Sequence, residues 1–224
     1  SLFQYCTNIT KVELSKSVVS AAGTFMGCGS LKQVIIDPAN TNLSVEGSTV
    51  FNADKTAIQF LSAAAATDAE GVYRIANGVT SITNGAFKNQ VDIKKLYIPA
   101  TVTTIGLNAF EGCINLEEVI FENPESSSCT TISDYAFYNC HSLRKIELPN
   151  GVTKLGNYAF RYCYALSDLK IPGVTTLGQY ALANCTSLAT VSLNEGMTTI
   201  YNYAFYAAGL TSIKLPSGFT IKSL

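Results

Sequence analysis

Histidine occurs once in these 224 residues, charged side chains make up only 14%, and no apolar run is long. Each scarcity excludes something. A single histidine leaves little for general acid–base work, and no Ser-His-Asp set, glycine-rich phosphate loop or close carboxylate pair stands in for it. The 15 basic and 16 acidic residues give a formal net charge of −1, with no global pull toward nucleic acid or an anionic membrane. No apolar stretch approaches the ~18–20 residues that cross a bilayer, so direct membrane insertion is not expected. The N-terminus lacks the basic, apolar, small-residue order of a secretion signal. The opening SLFQYC reads as the interior of a fold, and PSGFTIKSL at the other end starts a turn without finishing it. The expectation is a chain cut from a longer one, or ends covered by other segments or subunits.

What is present repeats. Aligned on the phenylalanine of NYAF, the anchors are Phe3, Phe25, Phe87, Phe110, Phe137, Phe160, Leu182 and Phe205. The steps are 22, 62, 23, 27, 23, 22 and 23 residues. Three places after the anchor come Cys6, Cys28, Gln90, Cys113, Cys140, Cys163, Cys185 and Ala208. Six places after it stand Ile9, Leu31, Ile93, Leu116, Leu143, Leu166 and Leu188. Further on, Val12, Val34, Leu96, Val119, Ile146, Leu169, Val191 and Ile213 recur in turn. Recurrence at a fixed period is the mark of a solenoid, because one such unit cannot cover its own apolar face.

The L-x-x-[VI]-x-[LI] part alternates with period two, predicting a strand with one buried face. Apolar groups at spacing three in A-F-x-x-C predict a short helical or 3₁₀ turn opposite it. Pro99, Pro149, Pro172 and Pro216 end the strands, since proline lacks the amide donor a ladder needs. The 62-residue step holds a variant unit at about 40–71. There SVEGSTVFNADKTAIQFL reads as two strands around Asn52-Ala53-Asp54-Lys55, an inserted β-hairpin.

Segments such as ISDYAFYNCHSLRKIELP and LGNYAFRYCYALSDLKIP resemble the BspA-type leucine-rich repeat, within the leucine-rich-repeat superfamily. The resemblance covers essentially residues 1–224 as one domain. It implies an α/β, right-handed solenoid with a parallel sheet on one face and short helical or 3₁₀ turns opposite. Members are commonly secreted or cell-surface proteins in adhesion or host interaction, which implies an extracellular or surface location and a protein partner. Neither an enzyme nor a nucleic-acid binder is expected.

The pair Cys140-His141 invites a catalytic or metal reading, and the repeat dissolves it. Six cysteines share one inward position, and Cys129 takes the place that Val102 and Val152 hold in other coils. Equivalent side chains on coils about 4.8 Å apart point the same way. Their Cβ vectors do not converge as a disulfide requires, so free buried thiols are expected. Without C-x-x-C or histidine partners, neither metal nor other cofactor is expected. His141 sits in the variable outer slot of Ile114, Tyr164 and Thr186.

Two surfaces remain as candidates. On the sheet, Ile35, Arg74, Tyr97 and Ile120 form an outward stripe, with Lys95 beside them in a row where Lys95, Glu118, Lys145 and Asp168 alternate in sign. Exposed apolar stripes mark protein contacts. On the turn side, Tyr135, Tyr158, Tyr180 and Tyr203 share one position and are expected to stack. Tyr162 and Tyr164 stand outside that row, where tyrosine suits recognition and a glycan is the alternative ligand. A spacer role is the third possibility. The row Thr80, Thr103, Thr130, Thr153, Thr175 and Thr198 is expected to be structural, its hydroxyls bonding to one another.

Overall fold

The computed structural model describes residues 2–62, 67–217 and 219. Residues 63–66 of the variant unit and most of the expected C-terminal turn lie outside these.

The chain begins with β1 (Lys11–Leu14) and β2 (Gln33–Ile36), paired in parallel so that Val12 faces Val34 across the ladder. Then come β3 (Leu43–Glu46), β4 (Thr49–Asn52) and β5 (Ala57–Leu61), an antiparallel meander. The expected hairpin is β4–β5, and the sequence reading missed β3. Val50 packs in an N-terminal cluster with Phe25, Leu31 and Phe60, whereas Phe51 and Ile58 pack in the main core. β4 and β5 are therefore covered on both faces, while β3 leaves Val45 exposed.

From there long and short strands alternate. The long ones are β6 (Val72–Arg74), β8 (Lys95–Ile98), β10 (Glu118–Phe121), β12 (Lys145–Glu147) and β14 (Asp168–Lys170), all parallel in one five-stranded sheet. The two-residue strands are β7 (Ser81–Ile82), β9 (Thr104–Ile105), β11 (Thr131–Ile132), β13 (Lys154–Leu155), β15 (Thr176–Leu177) and β16 (Thr199–Ile200). They join β3, β4 and β5 in a nine-stranded sheet. From Phe87 to Val191 the inward side chains of the repeat land in the core, and Leu96, Ile105, Phe137, Cys140, Leu143 and Leu148 are completely buried, whereas in the end coils Phe3 and Ile213 are exposed. Phe87, Phe110, Phe137 and Phe160 stack through the interior at 4.8, 5.1 and 5.0 Å.

The expected helical turns are absent. Among the described residues there is no helix, and the fold is a β-solenoid rather than α/β. The A-F-x-x-C segment is instead a third inter-coil ladder. The amides of Tyr135, Phe137 and Asn139 donate to the carbonyls of Asn157, Ala159 and Arg161 in the next coil, at 2.9, 2.7 and 3.0 Å. The intervening amides of Ala136, Tyr138 and Cys140 close local turns on Ser133, Tyr135 and Phe137. A helix needs one repeated φ near −63° with every amide along its own axis. Here Tyr135 and Asn139 have φ of 56° and 61°, which turns alternate peptides outward.

The same two places are left-handed in coil after coil. Two before the anchor stand Gly23, Gly85, Asn108, Tyr135, Tyr158, Tyr180 and Tyr203. Two after it stand Tyr5, Gly27, Asn89, Gly112, Asn139, Tyr162, Asn184 and Ala207. Glycine and asparagine suit this region; tyrosine does not. Elsewhere glycine serves close approach: a Cβ on Gly178 would lie 2.6 Å from the main-chain carbon of Gly156 in the preceding coil.

The threonine row also differs from expectation. Thr103 Oγ1 donates to the carbonyl of Thr80 at 2.9 Å and Thr198 Oγ1 to that of Thr175 at 3.2 Å, so the hydroxyls bond to the preceding coil's backbone rather than to each other.

Candidate functional site

On the five-stranded sheet, parallel register places Arg74 opposite Tyr97 and Tyr97 opposite Ile120. The guanidinium carbon of Arg74 sits 3.7 Å above the Tyr97 ring, and Lys95 Nζ lies 5.9 Å from the same ring. Arg74 is exposed, with Tyr97 and Ile120 half-buried. Ile35 is exposed too, but on β2 in the separate two-stranded sheet, where it pairs with Glu13. The outward stripe is thus three adjacent residues and one apart. Beside it, Lys95 and Lys145 flank Glu118 at 2.7 and 3.9 Å, and Lys170 meets Glu147 at 2.9 Å. Glu118 holds the Lys95 ammonium above its ordinary range through their hydrogen bond. The charge row is internally neutralised, and Arg74–Tyr97–Ile120 lies outside its ion pairs.

The turn side carries the second cluster. Tyr135, Tyr158, Tyr180 and Tyr203 stack with centroids 4.7, 5.2 and 4.8 Å apart and planes within 13° of parallel. Tyr138 meets Tyr135 and Tyr162 edge-on at 5.5 Å each. Burial pushes the Tyr135 and Tyr138 phenols up, with the neighbouring rings adding to it. Tyr162 is half-buried, while Tyr164 is 42% exposed and touches His141 at 5.0 Å. His141 is exposed and Cys140 completely buried, so the adjacent pair faces opposite ways. Sequence reasoning passed over Arg161, which lies among Tyr158, Tyr162 and Tyr180. No other coil has arginine there, so the repeat offered no signal for it.

Lys88 was also missed. Its side chain is 3% exposed, paired with Glu111 at 2.7 Å and donating to the Tyr5 hydroxyl at 2.6 Å. This contact ties the first coil to the one beyond the meander, and the Ser20 hydroxyl and Ala21 amide make a second tie by donating to the side-chain Oε1 of Gln59 in β5.

The seven cysteines are free, Cys6 half-buried and the rest buried. Burial pushes Cys113 and Cys185 up to about 12 and Cys129 to about 11, and drives Cys140 and Cys163 well above the ordinary thiol range. Thiols held protonated are poor nucleophiles. Among the described residues no group of three or more His, Cys, Asp or Glu converges as metal ligands do, and no helix is long and apolar enough to cross a membrane.

With this geometry in hand, comparison places the chain among known proteins. The profile of BspA type leucine-rich repeat regions matches residues 1–62, 80–173 and 124–223, in six copies. A leucine-rich repeat protein from Eubacterium ventriosum superposes with a TM-score of 0.73 at 22% identity, covering 94% of this chain and 61% of that one. The pneumococcal vaccine antigen PcpA gives 0.70 at 21%, covering 92% and 56%. A leucine rich cell surface protein from Faecalibacterium prausnitzii gives 0.70 at 25%, covering 81% and 47%. The likeness is one of fold, and the chain spans 47–61% of the length of these three. No curated protein matches it significantly.

Proposed function

Because this chain belongs to the BspA-type leucine-rich-repeat family, we propose that it is a non-enzymatic binding module that docks another protein on its five-stranded sheet, outside the cell or at its surface. One observation carries the reading: the Arg74 guanidinium stacked 3.7 Å over Tyr97, with Ile120 on the next strand. Tyrosine and arginine dominate interface hot spots, and a patch set on hydrogen-bonded strands loses little freedom on docking. The surface location draws on the two similar proteins described as a vaccine antigen and a cell surface protein.

The test is capture of purified extracellular proteins on an array, with Tyr97→Ala, Arg74→Ala and Ile120→Asp compared against the parent. Loss of the same captured partner by all three, with unchanged circular dichroism, supports the sheet face. Undiminished capture sinks it.

A second reading, glycan recognition by the turn side, is favoured by Tyr164, whose exposed ring borders Tyr162 at 5.8 Å. Sugar-array signals lost on changing Tyr162 or Tyr164 support it. Blank arrays of both kinds leave the spacer role.

A further inference from the structure

The turn side carries a cation, Arg161, that forms no ion pair among the described residues. The Arg161 guanidinium carbon lies 5.5, 4.5 and 4.9 Å from the ring centroids of Tyr158, Tyr162 and Tyr180. The nearby carboxylates are engaged elsewhere: Glu111 with Lys88 and Asn108, and Asp134 with Asn157. Among the described residues Arg161 has no ion pair, and its Nε is buried without an acceptor. Contact with aromatic faces offsets part of the desolvation of a cation, yet leaves its N–H donors unfilled.

Around this cation runs a row of hydroxyls. The rings of Tyr135, Tyr158, Tyr180 and Tyr203 cover one another's faces, so what the stack offers a ligand is its edges. Among the described residues none of these four hydroxyls bonds to a protein group; Tyr203 is exposed and the other three are half-buried, with ring centroids 4.7–5.2 Å apart. Neutral sugars that stack on open ring faces find few here.

Resting on the glycan reading of the turn side, we propose that this flank binds a linear acidic polysaccharide lying along the solenoid axis. One sugar carboxylate pairs with Arg161, and hydroxyls of neighbouring sugars bond to the tyrosine row. The guanidinium fork matches a carboxylate in bidentate geometry. Spacing selects the polymer: in an extended 1,4-linked chain successive pyranoses turn to opposite faces, so same-face groups recur every second sugar, close to two coil steps. An extended peptide presents same-face groups every two residues, about 6.6 Å, which drifts out of step with the coils.

The test uses fluorescently labelled oligogalacturonate and the same oligomer fully methyl-esterified, with binding read by anisotropy. The acid form is expected to bind at least about tenfold more tightly, as loss of a charged hydrogen-bonded pair implies. Arg161→Lys and Arg161→Gln should bring the acid form down to the ester's level, whereas Tyr180→Phe, keeping the ring, weakens both forms alike. Equal binding of acid and ester, indifferent to Arg161, overturns the proposal while the glycan reading stands. No binding of either form to the folded parent overturns both. Oligoglutamate binding as tightly as the acid sugar, with the same dependence on Arg161, overturns the polysaccharide assignment in favour of an acidic peptide.

Discussion

The thiol of Cys140 donates to the main-chain carbonyl of Phe110, one coil earlier, at 3.1 Å. Cys113, Cys163 and Cys185 do the same to Phe87, Phe137 and Phe160 at 3.1–3.2 Å. The position therefore asks for a small apolar side chain that also carries one weak donor, and cysteine is the residue that meets both demands. Where Gln90 replaces it, the amide reaches the Leu61 carbonyl at 3.3 Å and keeps the pattern.

Alkaline pH is expected to unfold the chain through these thiols. Their folded values lie above the ordinary 9.0, so the stability they contribute is complete below pH 9 and is lost as pH rises toward about 12. Each such thiol lowers stability by about 1.4 kcal/mol per pH unit across that window. Urea unfolding at pH 8, 9, 10 and 11 measures this. The double variant Cys113→Ala/Cys185→Ala should show a shallower fall; a parent whose stability stays level from pH 9 to 11 contradicts the account.

Phe137→Ala removes one of the two inner rings of the four-ring interior stack and is expected to cost about 3–5 kcal/mol. His141→Ala, four residues on and exposed, is expected to be near neutral. A large loss at His141 in the same denaturation series would mean its contact with Tyr164 carries structure.

The left-handed positions give a test that separates backbone from side chain. Asn139→Gly keeps φ near 61° without strain and should alter stability by only a few tenths of a kcal/mol. Asn139→Ala keeps a Cβ there but loses the short polar side chain that lets asparagine tolerate the left-handed region, and should cost about 1 kcal/mol. Equal melting points for the two would refute the turn-column description.

Glu111→Gln leaves the Lys88 charge buried without its counterion and is expected to cost about 3–5 kcal/mol. Replacing both, Lys88→Met with Glu111→Leu, should recover most of that loss. If the double variant is no better than the single, the pair is not what sets the penalty.

The inward half of this molecule was legible because packing repeats: the places of Phe137, Cys140, Leu143 and Ile146 could be assigned by alignment alone, and each proved buried. The turn segments were misread because spacing three fits a helix and a series of turns equally well. The distinguishing signal was present in Gly23, Gly27, Gly85, Asn89, Asn108 and Gly112, but Tyr135, Tyr158 and Tyr180 hid it, since stacked rings hold a conformation that tyrosine alone disfavours. Contacts made at only one place along the array, such as Lys88 with Tyr5 or Arg161 with its three rings, leave no periodic trace. The candidate surfaces are of that kind. Alignment could name Arg74, Tyr97 and Ile120 as neighbours, but not the cation seated on the ring.

The meander at residues 43–61 gives the solenoid an uneven response to mechanical load. From β6 to β14 successive coils are fastened by three parallel ladders, whereas across the meander the long-strand ladder is interrupted. The buried side chains divide at the same place, into a small cluster around Phe25 and a long one running from Phe51 to Ala204. Tension or bending along the axis concentrates where the rungs are fewest. The N-terminal coils then act as a compliant joint, with Lys88–Tyr5 and Ser20–Gln59 as its fasteners, while the sheet bearing Arg74, Tyr97 and Ile120 stays stiff.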